Sequence, residues 1–350
     1  MKRIAIISTS GAQEVGGVER VVGDHKKTLS KYACVRIISL PAGPLASQIR
    51  KIKYFDLFLR SFFPLISSLI ARAWVGRKGV VMTHGCSSIG YFCDVAFGHG
   101  CWAAYMEQIY AKPGPFSKIM IFYEKLTARN SKKVVLVSDR VKEQWVKKYN
   151  LSEAKAQVLI NSVDTSKFHP QYGSSDPFTA RCIRVLFVGT CARPKGFDYL
   201  VRLHAEIIKS EEDLEVCVCS PQEVEGEVKQ RLHRFRFRCQ LNASELMSEY
   251  NNADIFLLPS LYEAFEMSSL ESLACGTPVM LNNTGARPTL HKLGCSAVFC
   301  LENEPSPIKA ILSAKSIFSG MKREDIANWT KSNLGINRTE ARLIELCDVL

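Results

Sequence analysis

Short apolar runs rich in β-branched residues alternate along this chain with longer stretches of helical spacing. They fall at residues 4–7, 35–40, 80–82, 134–137 and 158–160, then again at 185–188, 214–219, 255–258 and 278–281. A strand that is apolar on both faces must be covered on both, and parallel sheets flanked by helices meet that demand. Two such series predict an α/β chain of two doubly wound, Rossmann-like domains. The length supports two cores: 350 residues, 47% of them hydrophobic, leave roughly 150 per domain. The breaker-rich segment Phe168-His169-Pro170-Gln171-Tyr172-Gly173-Ser174-Ser175-Asp176-Pro177 reads as the linker. The expected domains are therefore 1–170 and 171–335. Residues 336–350 have the apolar spacing of a closing helix.

The segment from Pro259 to Val279 carries the most chemistry. Glu263 and Glu271 stand eight positions apart, the first in a loop and the second on the helix predicted to follow the apolar run at 255–258. Carboxylates accept paired hydrogen bonds from vicinal hydroxyls, and the free amides of a helix N-terminus favour a phosphate. Sugar, diphosphate and ribose fit that row. In the loop leaving the run at 185–188, Arg193 and Lys195 can meet the same diphosphate, since loops at the C-terminal ends of parallel strands form the ligand crevice. They would also stabilise the leaving group as charge builds on it. Near the N-terminus Gly16 and Gly17 enter a helix, where the lack of a Cβ lets backbone amides approach a ligand. His84 and His99 each follow an apolar run, a place suited to orienting a donor hydroxyl or an acceptor.

Charge is unevenly held. The net charge is +12, and residues 1–170 hold 26 Lys and Arg against 11 Asp and Glu. That half therefore suits an anionic partner, either a membrane surface or an acidic glycan. Residues 48–78 mix cations with large apolar groups as interfacial helices do, and their longest uncharged stretch, 61–71, is shorter than the roughly 20 residues a bilayer requires. Peripheral attachment is the expectation, beside the plainer reading of an amphipathic helix packed on a sheet. No nucleic-acid motif is present. Thirteen cysteines without a Cys-x-x-Cys pair suit reduced thiols in a cytoplasmic protein, and no zinc-ligand cluster is evident. The run Gly98-His99-Gly100-Cys101-Trp102-Ala103 matches a dinucleotide pattern by chance, because it lies far from the first strand-helix turn.

The block from Pro259 to Val279 resembles the nucleotide-sugar signature of the family 4, group 1 retaining glycosyltransferases, which have the GT-B fold. The Gly16-Gly17 loop, the Gly189 and Lys195-Gly196 turn, and the Asn161-Ser162-Val163-Asp164 segment match the family's other landmarks in order. The resemblance implies two Rossmann-like domains facing a cleft and a helix 336–350 that packs back on the first domain. It implies that Glu263 meets the donor sugar and Glu271 the ribose. Phe265 and the amides of Met267 and Ser268 would lie along the diphosphate, with the nucleobase edge held near Leu241. His99 is the better catalytic histidine by this likeness.

The chain departs from the family at Thr190, Ser162, Ala264 and Glu266, the last two replacing glycines. Glu266 must point away from the phosphates, be paired, or select an unusual donor. With no Asp-x-Asp, no metal and no cofactor are expected. The donor would be a nucleotide diphosphate sugar, most commonly a UDP-sugar. The acceptor would be a glycan or lipid-linked glycan of surface-polysaccharide or lipopolysaccharide synthesis. Two rivals are a nucleotide-sugar epimerase or hydrolase on the same fold, and a non-catalytic nucleotide-sugar-binding scaffold.

Overall fold

A computed structural model describes residues 1–11, 16–40, 55–110 and 112–347. The chain divides into two compact units, Met1–Asn161 with Thr339–Leu350, and Ser162–Arg338. Each is built on a six-stranded parallel sheet. In the first, β1 (Arg3–Ile7), β2 (Cys34–Ile38), β3 (Val80–His84), β4 (Val95–Gly98), β5 (Lys133–Leu136) and β6 (Ala156–Val158) lie in the order β2-β1-β3-β4-β5-β6. In the second, β7 (Ile183–Val188), β8 (Leu214–Ser220), β9 (Arg236–Cys239), β10 (Ile255–Leu258), β11 (Val279–Leu281) and β12 (Val298–Cys300) lie in the order β12-β11-β10-β7-β8-β9.

The central strands are largely apolar because helices cover both faces. Every residue of β3, β4 and β10 is buried. Strand order reverses between β1 and β3 in one sheet and between β7 and β10 in the other, and such switch points open a crevice at the carboxyl ends of the strands. All thirteen cysteines are free thiols.

The boundary falls at Asn161/Ser162, several residues before the breaker-rich segment expected to carry it. That segment is bonded to the second unit. Within it Gln171 N–H donates to Asn251 Oδ1 at 2.8 Å and the Phe168 ring lies 6.1 Å from that of Tyr250; ahead of it Val163 N–H donates to the Leu334 carbonyl at 2.9 Å. At the other end the helix Ile336–Cys347 seats Leu343, Leu346 and Cys347 against Ile4, Ile6 and Val22 of the first core.

Of residues 48–78, those before 55 lie outside the described residues. From there the chain forms one helix, Phe55–Val75, with Pro64 inside it. Its stretch Phe58–Val75 is long and apolar enough by length and composition to cross a membrane, because only Arg60 and Arg72 interrupt it; a third of that stretch is buried. Phe63, Ala71 and Val75 pack on the sheet, whereas Phe58, Phe62, Leu65, Ile66 and Leu69 are exposed.

Candidate functional site

The second switch point brings together the ends of β7 and β10. At Gly196 (φ +82°) an added Cβ would fall 2.2 Å from the Pro259 carbonyl oxygen, so only glycine lets the β7 loop lie this close. Leu261 N–H donates to the Pro194 carbonyl at 2.9 Å, latching the two loops. The latch places Lys195 Nζ 2.6 Å from Glu263 Oε1. Burial alone would lower the Lys195 pKa, but the charge of Glu263, with Glu266 adding to it, holds it above the ordinary value.

The loop after β11 fixes the carboxylates. Glu263 N–H donates to Thr284 Oγ1 at 2.9 Å, and Gly285 N–H to the Glu263 carbonyl at 3.1 Å. Glu266 occupies the N-cap of the helix Met267–Ala274, and its carboxylate turns back into the protein. It accepts from Ser269 Oγ at 2.9 Å and from Ala286 N–H at 2.9 Å. A Cβ at Gly285 would lie 1.8 Å from Glu266 Oε2, so the carboxylate fills the space this glycine leaves. The extra carboxylate is thus paired. Burial, with the charge of Glu263 beside it, pushes its pKa up to about 7.

The folded state therefore holds a proton on Glu266 at pH values where the unfolded chain has released it. Between about pH 4.5 and 7 the native state binds more protons, so this group's contribution to stability falls as pH rises through that window. Glu266→Gln is expected to flatten that part of the urea-midpoint profile of the second unit; an unchanged slope would remove Glu266 as its source.

Met267 and Ser268 stand half-buried at the first turn, where helix amides lack intrahelical partners, and Phe265 is buried beside them. Glu271 is 2% exposed, and its Oε2 accepts from Tyr250 O–H at 3.1 Å. Leu241 follows Gln240 (φ +55°) and precedes the Asn242–Glu245 capping box of the helix Ala243–Asn252.

Arg193 is not joined to this group. It is exposed and lines a cavity of about 280 Å³ with Tyr199, Arg202 and Glu302, none of which touches the Lys195–Glu263 pair by a hydrogen bond. The cause is local: Arg193–Lys195 is a single 3-10 turn, in which residues two apart face different sides.

In the first unit Gly16 has φ +111°, and a Cβ there would lie 2.3 Å from Glu19 Oε2; residues 12–15 of its loop lie outside the described residues. His99 is half-buried and hydrogen-bonded to His84, 2.8 Å from His84 Nδ1 to His99 Nε2. Behind them Glu124 caps the helix Trp102–Ile109, accepting from Trp102 N–H at 2.8 Å and from Tyr149 O–H.

Sequence reading missed Thr284, Gly285 and Tyr250, because partners set by tertiary contact leave no local pattern. It also missed a buried trio, Cys217, Cys219 and Glu249, whose ligand atoms lie within 4.8 Å of one another. Glu249 is already paired with Arg236 at 2.7 Å and Arg238 at 3.0 Å. Those guanidiniums oppose a cation there.

Residues 4–167 match the family described as Glycosyltransferase Family 4, and residues 182–313 that described as Glycosyl transferases group 1. An uncharacterised glycosyltransferase of Methanocaldococcus jannaschii is 24% identical over 62% of this chain and 61% of its own length. A phosphatidylinositol N-acetylglucosaminyltransferase component from Arabidopsis thaliana is 24% identical over 94% of this chain and 78% of its own. The chain spans from about half to just under four-fifths of the length of the curated relatives it matches. Sucrose-phosphate synthase from Thermosynechococcus elongatus superposes with a TM-score of 0.75 at 17% identity, covering 99% and 98% of the two chains. Anabaena HepE in complex with UDP-glucose superposes with a TM-score of 0.67 at 12% identity over the whole of both. The chain thus has the GT-B fold, and along both units it is similar to glycosyltransferases.

Proposed function

We propose that this protein is a retaining, metal-independent hexosyltransferase that moves a sugar from a nucleotide diphosphate sugar, most simply a UDP-sugar, to a glycan or lipid-linked glycan acceptor. The observation that carries the reading is the Lys195–Glu263 pair beside the N-terminus of the helix Met267–Ala274 at the β7/β10 switch point. Lys195 exchanges part of its contact with Glu263 for the diphosphate, the helix amides take the remaining phosphate oxygens, and Glu263 is released toward the sugar. With the leaving phosphate held by fixed positive charge, no metal is required. Retention follows from front-face substitution, in which the departing phosphate oxygen takes the acceptor's proton while the acceptor oxygen bonds the anomeric carbon. A complex of the structural relative HepE with UDP-glucose supports the donor class.

Acceptor and location rest on the first unit. Its excess of cations and the exposed row Phe58, Phe62, Leu65, Ile66 and Leu69 suit a lipid-linked acceptor at the cytoplasmic face of an anionic membrane, as in surface-polysaccharide or lipopolysaccharide synthesis. A relative whose name includes phosphatidylinositol agrees with a lipid acceptor.

Release of nucleotide diphosphate from UDP-, GDP-, ADP- and dTDP-sugars in EDTA, with and without anionic vesicles, tests the whole reading. One donor is expected to be consumed in EDTA, and Glu271→Ala is expected to suppress that turnover at least ~100-fold, on the order of one lost transition-state contact. Turnover that requires added metal would overturn the metal-independent mechanism. Equal sedimentation with neutral and anionic vesicles would remove the membrane assignment alone.

A further inference from the structure

Three histidines from three elements meet in the first unit. His84 closes β3, His99 follows β4, and His25 lies on the helix Gly17–Leu29 that begins at the Gly16 turn. The His84 and His99 rings are near parallel, 18° apart in plane. His84 also stacks on Phe97 at 4.8 Å and 5°, and His25 packs against both, 5.1 Å from the His84 ring and 4.8 Å from that of Phe97. His84 and His25 are thus packed on several sides.

Burial lowers all three pKa values, His25 to about 3, His99 to about 4 and His84 well below its ordinary value, with His99 adding to the effect on His25 and on His84. Each imidazole is therefore neutral at pH 7 and carries one N–H. The 2.8 Å contact between His84 Nδ1 and His99 Nε2 accordingly holds one proton, on one side or the other. If His99 donated it, His84 would have to carry its own proton on Nε2, an atom buried without any partner. A buried N–H without an acceptor keeps its full desolvation penalty and is rarer than a buried acceptor left unused. The arrangement with less strain on the network puts the proton on His84 Nδ1 and leaves His84 Nε2 as a lone pair. His99 Nε2 then accepts, and the His99 proton must sit on Nδ1.

The consequence is chemical. His84 is 1% exposed and His25 9%, whereas His99 is only half-buried and is the member of the cluster that can meet a substrate. We propose that His84 is a positioning residue that locks His99 into its Nδ1–H tautomer, so that His99 serves sugar transfer as a hydrogen-bond donor to a substrate oxygen and not as a base. This rests on the reading of His99 as a substrate contact. A donor-only histidine suits a mechanism in which the departing phosphate, and not a side chain, removes the acceptor's proton.

Long-range proton–nitrogen correlation of the intact chain labelled with 15N-histidine reads the tautomer directly, with His99 assigned by its loss in His99→Asn. At pH 7 His99 Nε2 is expected to be bare and Nδ1 protonated; the reverse would overturn the proposal whatever the activity. Kinetics then test the role, using the donor selected by the release assay. His99→Asn, which keeps an amide N–H near the Nδ1 position, is expected to lose about tenfold in kcat, and His99→Gln, which moves it to the Nε2 position, about 100-fold. His84→Asn retains a donor toward His99 and should restore most of the kcat that His84→Ala loses, with KM for the donor unchanged in both. If His84→Ala does not fold, the wild-type spectrum and the His99→Asn to His99→Gln ratio still decide. Equal losses in those two variants would overturn the donor assignment. Full transfer by His99→Ala with the expected spectrum would show that the dyad is structural and that the reading of His99, not its tautomer, had failed.

Discussion

Lys195→Met is expected to lower kcat/KM for the nucleotide-sugar by about 1000-fold, the scale of about 4 kcal/mol of lost transition-state stabilisation. Lys195 Nζ is 2.6 Å from Glu263 Oε1, and the buried Glu266 carboxylate adds to the same field. Without the cation, Glu263 is left unpaired beside the place where the diphosphate is proposed to bind. Both effects have one sign: the donor loses its positive partner and gains repulsion. The pair itself is a third exposed on the lysine side, so it contributes little to folding and the thermal midpoint should hardly move. Steady-state kinetics with a parallel melting curve check the prediction. A loss below about tenfold would detach Lys195 from the phosphates and leave it as a partner of Glu263 alone.

Asp254→Ala should do the opposite, unfolding the second unit more easily while leaving the chemistry of the folded fraction intact. Asp254 is fully buried. It accepts from Phe178 N–H at 2.9 Å, from Arg184 N–H at 2.7 Å and from the Arg184 guanidinium at 3.1 Å. Phe178 has φ +60°, a strained setting for a large side chain that this hydrogen bond holds in place. Arg323 lies in the same field. It is 2% exposed, donates to the carbonyls of Ser175 at 2.6 Å and Ala253 at 2.5 Å, and has its pKa pulled down to about 10 by burial, an effect that Asp254 opposes. Removing the carboxylate leaves two guanidiniums without that compensating charge. Breaking a buried pair from one side costs about 3–5 kcal/mol, which in a unit of this size lowers the melting midpoint by about 10 °C. Calorimetry reads it, and a shift of about 2 °C or less would show that backbone contacts alone hold the segment.

Most of the residues proposed to hold the donor are neighbours in the structure. Glu263, Lys195, Met267 and Ser268 lie in two short segments whose residue types name their chemistry, and the structure gathers them at one switch point. Arg193 was assigned to the same place because both cations lie in the loop leaving β7, with Arg193 standing in for the arginine that Thr190 replaces. A 3-10 turn separates residues two apart, and no residue-by-residue reading of the loop reveals which one faces the crevice. Glu266 was visible as a departure from the family pattern, but its direction was not. That depended on Gly285, nineteen positions on, leaving room for the carboxylate, and on Ala286 supplying an N–H. The breaker-rich segment lies inside the second unit and not at its edge, because proline, glycine and serine mark a break in regular structure, whereas membership of a unit is decided by partners such as Asn251.

The sequence by itself determined the fold class, since apolar runs at strand length must be buried on both faces and helices are what cover them. It also determined the residue types of the proposed donor site, because glycine turns and a helix start are local and carry their own conformational rules. Tertiary structure alone decided which side chains meet. The Lys195–Glu263 pair joins residues 68 apart, and the His84–His99 contact depends on β3 and β4 lying side by side in register. A hydrogen bond or an ion pair is set by positions to within a few tenths of an ångström, and such positions follow from packing across the sheet, not from neighbours along the chain.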